Sequence, residues 1–162
     1  MRRAQRLAIA SLATACVGAV VPTEASARSF TIKQAVPHLT TVDLREAGAS
    51  HGDMLAFEAA ITGEDGTTGT LSGILVTVDL PDASGDLLED RIGHLTFDLG
   101  GGNSLVVAGK SVYPDQGVEM SANTPQLRAV IGGTGTFVGA RGQVITTRIG
   151  DGSYTHSFEL VE

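Results

Sequence analysis

AVIGGTGTFVGARGQVITTR, residues 129–148, contains five glycines in twenty residues, and the interpretation of these glycines distinguishes between two classes of fold. The spacing of Gly133, Gly135 and Gly139 admits a dinucleotide-binding interpretation. That fingerprint requires a strand before the glycines and a helix after them. Residues 142–149 instead alternate like a strand, and no Lys-Ser or Lys-Thr pair follows the glycines as a phosphate-binding loop requires. The segment is therefore predicted to be a tight corner between two antiparallel strands, where glycine permits close backbone approach.

The rest of the chain after the first 27 residues has the pattern of an all-β protein. Short runs rich in Val, Ile, Thr, Leu and Phe are separated by Gly, Asp, Asn and Pro. Strands are predicted at 30–36, 40–46, 53–61, 68–80, 91–99, 104–113, 126–131, 142–149 and 154–161. Their even spacing indicates a sandwich or a barrel.

Alternation within the strands predicts which side chains face the core. In 91–99, Leu95 and Phe97 share one face with Leu99, and the polar residues share the other. In 53–61 an inward Phe57 places Glu58 outward, since side chains alternate with a period of two. The second face of that strand is almost as apolar, so a partner or a packed loop is expected to cover it.

The N-terminus has the three parts of a secretory signal peptide. MRRAQR is basic, residues 7–21 are apolar, and residues 25–27 read ASA, a cleavage site before Arg28. A membrane span would need a longer apolar run, and this one ends at Pro22. Residues 1–27 are therefore predicted to be removed on export by the general or the twin-arginine route, which leaves a secreted or periplasmic chain.

Residues 28–162 are predicted to form one domain with an acidic surface. They contain eight Lys and Arg against seventeen Asp and Glu, a formal net charge of −9, which disfavours nucleic-acid partners. The single cysteine, Cys16, lies in the signal peptide, so no disulfide is available. The four histidines show no metal-site spacing, and surface or rim positions are expected for them; no metal and no cofactor are predicted.

The corner motif resembles the signature of the allene oxide cyclase and dirigent superfamily, which has a G-G-[TS]-G-x-F segment and an A-R-G turn into the next strand. Residues 42–70 are similar to the early strands of its bacterial branch, so the resemblance covers about residues 40–160. It implies an eight-stranded antiparallel β-barrel with an apolar lumen, assembled as a homotrimer. Eight strands leave room for side chains or for one small ligand.

The resemblance transfers only part of the family's functional residues. Arg141 matches the arginine of the corner, but Thr136 and Ala59 stand where radical-coupling members place two acids. Arg141 has two interpretations, since its guanidinium suits either a ligand oxygen at the barrel mouth or the free carbonyls of the corner. Tyr113 and Tyr154 are candidates for orienting a ligand, or are rim residues with a hydroxyl in water.

Two functions remain open. The first is a barrel that binds a small apolar, phenolic or lipid-like molecule in its lumen and steers a cyclisation or coupling without a cofactor. The second is a non-catalytic secreted trimer that serves as a binding or interaction module, which the missing acids favour. No catalytic residue is assigned; the residues predicted to bind the ligand are Phe57, Phe97, Tyr113, Arg141, Gln143 and Ile145.

Overall fold

The computed structural model describes residues 27–44, 48–80, 88–114 and 119–161. In these residues the chain forms β1 Ala27–Gln34, β2 His38–Val42, β3 Met54–Gly63, β4 Thr68–Asp79, β5 Leu88–Asp98, β6 Ser104–Pro114, β7 Gln126–Thr134, a 3-10 turn Gly135–Phe137, β8 Arg141–Arg148 and β9 Tyr154–Val161. The predicted signal peptide lies outside the described residues except for Ala27, which begins β1.

Eight of these strands close into the predicted antiparallel barrel. The order is β1-β9-β8-β7-β6-β5-β4-β3, and β1 closes it by pairing with β9 along its whole length and with β3 at Ile32–Gln34. The remaining strand, β2, pairs with the other half of the same edge of β3. The chain therefore covers one edge of β3 with two consecutive short strands, because β1 ends before β3 does.

The lumen is the hydrophobic core of the protein. Every second residue of the barrel strands points into it, as the pleat of a strand requires. Phe97 has no exposed surface and packs edge-on against Phe158, with ring centroids 5.0 Å apart. Phe30 stacks on the other side of Phe158 at 5.0 Å. The buried apolar residues that fill the barrel include Ile32, Leu55, Ile61, Leu71, Leu75, Leu95, Leu105, Val107, Val130, Val144 and Leu160.

The glycine-rich stretch forms the predicted corner. β7 leads into the single 3-10 turn, β8 returns antiparallel, and Val130 pairs with Gly142. A Cβ on Gly133 would lie 2.5 Å from the Ser104 carbonyl oxygen and 2.6 Å from the Phe137 Cβ, so only glycine fits there. This corner seats the buried Phe137 ring against Phe30 and closes one end of the lumen.

Candidate functional site

A cavity of about 40 Å³ remains at the other end of the lumen, where the chain passes from β6 to β7 and from β8 to β9. Leu39 of β2 lies on its rim with 36% of its surface exposed. One wall is apolar and the other is polar. The apolar wall consists of Pro37, Leu39, Leu55, Phe57, Leu75, Leu95 and Met120, and the polar wall of Gln34, Tyr113, Glu119, Arg128, Thr146, Tyr154 and His156.

His156 is the most buried polar residue of this wall, with 1% of its surface exposed. Its Nε2 lies 2.8 Å from Gln34 Oε1 and its Nδ1 lies 3.0 Å from Thr146 Oγ1. Gln34 Oε1 can only accept, so Nε2 donates and Nδ1 accepts from the Thr146 hydroxyl. Burial, assisted by the positive charge of Arg128, lowers the pKa of His156 to about 3. The imidazole is therefore neutral, and both nitrogens already have partners.

Arg128 and Tyr113 form a second buried pair. Arg128 on β7 donates from a terminal guanidinium nitrogen to the Tyr113 hydroxyl oxygen across 3.1 Å. Both residues are at most 4% exposed, and burial raises the pKa of Tyr113 despite the nearby Arg128 charge. The guanidinium of Arg91 lies over the Tyr113 ring, 4.6 Å from its centroid, and pairs with the Glu89 carboxylate at 2.8 Å. The Tyr113 hydroxyl therefore stays protonated at neutral pH.

Glu119 links two residues at the mouth of the cavity. Its carboxylate accepts from the Tyr154 hydroxyl and from a guanidinium nitrogen of Arg148, each at 3.0 Å. Burial, followed by the negative charge of Glu119, raises the pKa of Tyr154. The Tyr154 hydroxyl and the Glu119 carboxylate are therefore hydrogen-bonded to each other, and the carboxylate is also bound by Arg148.

Of the six residues predicted to bind the ligand, two line this cavity. Phe57 and Tyr113 do so, from opposite walls. Phe97 faces the lumen as predicted, but it is packed beneath the cavity against His156, with ring centroids 4.9 Å apart.

The inward direction predicted for Ile145 is wrong. On β8 the inward residues are Val144 and Thr146, so Ile145 points outward and is 38% exposed. Gln143 has the same parity and donates to the Glu159 carboxylate on the outer surface at 2.6 Å.

Arg141 is exposed at the end of the barrel opposite the cavity, beside Val161. The predicted position of Arg141 at the mouth of a ligand cavity therefore does not agree with the geometry.

Two residues of the polar wall, His156 and Arg128, were not predicted as site residues, and a surface or rim position was expected for His156. The alternation of Tyr154, His156, Phe158 and Leu160 could have shown that His156 shares an apolar face. No comparable signal marks Arg128, since its apolar neighbour Leu127 points outward and is 57% exposed. His38, His51 and His94 are exposed, in agreement with the prediction. Glu58 is exposed, and Ala59 faces inward.

A larger recess of about 400 Å³ lies at the corner end, between β1 and the turn from β3 to β4. Its cation, Arg28, already lies over the rings of Phe30 and Phe137, at 5.5 and 5.2 Å. Much of its remaining lining comes from hairpin turns, including Asp65 and Asn103. We place the candidate site in the smaller cavity because its polar groups are buried and are held in position by hydrogen bonds.

Within residues 27–44, 48–80, 88–114 and 119–161, no three His, Cys, Asp or Glu side chains come together in a way that could hold a metal ion. Within the same ranges no helix has the length and apolar character needed to cross a bilayer.

The fold and the cavity together define a class of protein, a closed eight-stranded antiparallel barrel whose apolar lumen ends in a cavity with one polar wall. Several solved structures share this fold. A pyocyanin demethylase is 18% identical with a TM-score of 0.61, over 84% of this chain and 100% of that one. The Diels–Alderase of Streptomyces koyangensis is 14% identical with a TM-score of 0.56, over 87% of this chain and 71% of that one. A pterocarpan synthase dirigent protein is 17% identical with a TM-score of 0.51, over 83% of this chain and 92% of that one.

The sequence comparisons found no such relatives. No family model and no curated protein matches the chain. The structural matches confirm the dirigent and cyclase barrel that the corner motif predicted, at the level of the fold.

Proposed function

We propose that this barrel binds a small, largely apolar molecule in its lumen and steers a cyclisation or coupling of that molecule without a cofactor. The observation that carries the proposal is the cavity itself, with an apolar wall facing a wall of buried, rigidly held polar groups. Holding a reactive molecule in one conformation accelerates and directs such reactions without acid or base machinery. The same fold in a Diels–Alderase and in a dirigent pterocarpan synthase supports this class of chemistry.

The cavity of about 40 Å³ is smaller than the roughly 300–1,000 Å³ that drug-sized ligands occupy. Binding of a whole substrate therefore requires displacement of the rim. Leu39, on the exposed strand β2, is the rim residue whose displacement would enlarge the cavity.

The filled lumen favours the second candidate function, a barrel that interacts with a partner and has no catalytic role. The two functions are separated by measuring product stereochemistry with phenolic and lipid-like precursors in the presence and absence of the protein. If the barrel steers the reaction, one stereoisomer is expected in excess. An unchanged product ratio with every precursor would refute steering and support the non-catalytic interaction module.

The lumen is tested by closing its mouth. Phenolic and lipid-like ligands that bind in the lumen are expected to raise the melting temperature of the protein. Leu39→Trp is expected to fill the rim and to abolish both this rise in melting temperature and the excess of one stereoisomer. The matched control is Val138→Trp, at an exposed position on the corner turn with 78% exposure. A Leu39→Trp variant that keeps both properties would refute the lumen as the binding site.

We propose a homotrimer assembled through the outer wall. Apolar side chains that point outward on β4, β5 and β7 support it: Ile74, Ile92 and Leu127 are each about half exposed or more. On the outer face of residues 53–61, which was predicted to be covered by a partner or a loop, Ala60 is also exposed. Large apolar side chains that remain exposed on several strands of one wall are typical of a surface that a partner covers. Light scattering is expected to give three chains per particle, and a monomer would contradict the proposal.

We propose that the chain is exported and cleaved after Ala27, on the signal-peptide pattern of residues 1–27. Mass spectrometry of the protein recovered outside the cytoplasm is expected to give Arg28 as the first residue. An uncleaved chain retained in the cytoplasm would contradict this.

A further inference from the structure

Three arginines point into the cavity end of the lumen, and the described residues supply carboxylates for two of them. Arg91 pairs with Glu89, and Arg148 pairs with Glu119. Arg128 has no carboxylate partner among the described residues, although only 4% of its surface is exposed. Its hydrogen bond in that part of the chain goes to the Tyr113 hydroxyl, and its Nε–H has no acceptor.

Two glycines on neighbouring strands leave space in the lumen for the Arg128 side chain. Gly93 of β5 and Gly109 of β6 are paired across the sheet, and the Arg128 side chain lies over both. A Cβ on Gly109 would lie 3.5 Å from the Arg128 Cβ and Cγ, and one on Gly93 would lie 2.6 Å from Leu75 Cδ2 and 3.6 Å from the Arg128 Nε. The two glycines therefore leave room for the Arg128 stem and for the Leu75 side chain.

Tyr113 supplies a second donor next to Arg128. Its hydroxyl oxygen accepts from the guanidinium, so the hydroxyl proton is directed elsewhere, and no described side chain accepts it. Arg128 and Tyr113 both line the cavity. Two donors, one of them charged, therefore face the same enclosed space without an acceptor in the part of the chain that the structure describes.

A buried cation without a counter-charge is costly, because the interior does not replace the water that it loses. A buried polar group without a partner calls for an explanation, and an absent ligand is one of the common ones. His156 and Glu119 do not compete for this role. The nitrogens of His156 are both occupied, and the carboxylate of Glu119 is held by Tyr154 and Arg148.

We propose that the cavity selects small apolar molecules that carry an oxyanion, a carboxylate, enolate or phenolate oxygen, which Arg128 Nε and the Tyr113 hydroxyl bind. The apolar remainder of the molecule packs against Leu55, Leu75 and Leu95. This inference rests on the proposed lumen function and names its ligand class. It also assigns a chemical role in a cyclisation, since a bound enolate or carbonyl oxygen is held and polarised at one fixed point.

The experiment compares matched acids and amides by isothermal titration calorimetry on the purified protein at neutral pH. The probes are benzoate and cinnamate against benzamide and cinnamamide. The acids are expected to bind at least about ten-fold more tightly, equivalent to about 1.4 kcal/mol. Arg128→Met is expected to remove that preference and leave amide binding unchanged, and Tyr113→Phe to reduce it in part. The control is Lys33→Met, which removes a charge that is exposed on the outer face of β1.

A second measurement does not depend on a variant that folds. The Nε–H signal of Arg128 in an ¹⁵N spectrum is expected to shift on addition of benzoate and to stay in place with benzamide. Amides that bind as tightly as acids, or acids that leave this signal unmoved, would overturn the inference and leave lumen binding intact. Absence of binding by all four probes would count against the inference and against the lumen function together.

Discussion

Acidification should destabilise this barrel through one buried side chain, His156. Its pKa in the folded protein is about 3, against an ordinary value of 6.5, because burial and the charge of Arg128 disfavour the protonated ring. Below pH 6.5 the unfolded chain binds a proton that the folded chain does not bind. The stabilisation is therefore complete above pH 6.5 and is lost progressively as the pH falls toward 3. The slope approaches about 1.4 kcal/mol per pH unit, which gives a loss of about 2–3 kcal/mol between pH 6.5 and 4.5.

The measurement is the free energy of unfolding in urea at several pH values, for the wild type and for His156→Gln. The wild type is expected to lose about 2–3 kcal/mol more than the variant between pH 6.5 and 4.5. Carboxylates such as Asp53, whose pKa is lowered by hydrogen bonds from Ser50 and Leu44, titrate in both proteins and cancel in the difference. His94→Gln, at an exposed position on β5, is the control and should keep the wild-type slope.

Parallel pH profiles for the wild type and His156→Gln would refute this reasoning. An NMR titration provides an independent check, because the His156 ring should remain neutral at pH 4.5. A midpoint near 6.5 would mean that the ring is hydrated and that the polar wall is not sealed from water.

Three further predictions concern the corner, the core and the outer wall. Gly133→Ala should destabilise the protein by about 1–3 kcal/mol in urea unfolding, because the added Cβ meets backbone atoms. Gly132→Ala is the control and should keep a stability near that of the wild type, because the space around it is open. Equal losses of stability in the two variants would contradict the corner geometry. Phe97→Ala should cost about 3–5 kcal/mol in the same measurement, and a loss below about 1 kcal/mol would show that the lumen collapses around it. Arg141→Met should leave the affinities for the acid and amide probes unchanged in calorimetry, and a ten-fold loss of affinity would show that Arg141 contacts the ligand.

The strands were predictable because their signals are local. The run predicted at 91–99 is β5 Leu88–Asp98, and the run predicted at 142–149 is β8 Arg141–Arg148. Alternation in the first run correctly places Leu95 and Phe97 in the lumen, since from Leu95 onward the apolar residues occupy one parity and the polar residues the other. The corner was predictable because the residues after its glycines alternate like a strand.

The phase of β8 was not predictable from its own residues. Val144 and Ile145 are adjacent and both apolar, so hydropathy does not say which points inward. Pairing decides it: Val144 lies opposite Phe158 of β9, and both face the lumen. A shift of one residue would exchange the two faces of the strand.

Local sequence is enough to predict the all-β class, the positions of the strands and turns, and the barrel corner, because period-two alternation and glycine geometry act over a few residues. The inward face of Arg128 and the outward faces of Arg141, Gln143 and Ile145 follow instead from the assembled barrel. The reason is that the facing of an ambiguous strand is set by hydrogen-bonded register with its neighbours. The candidate site lies between residues from β1, β6, β7, β8 and β9, and no single stretch of the chain contains that arrangement.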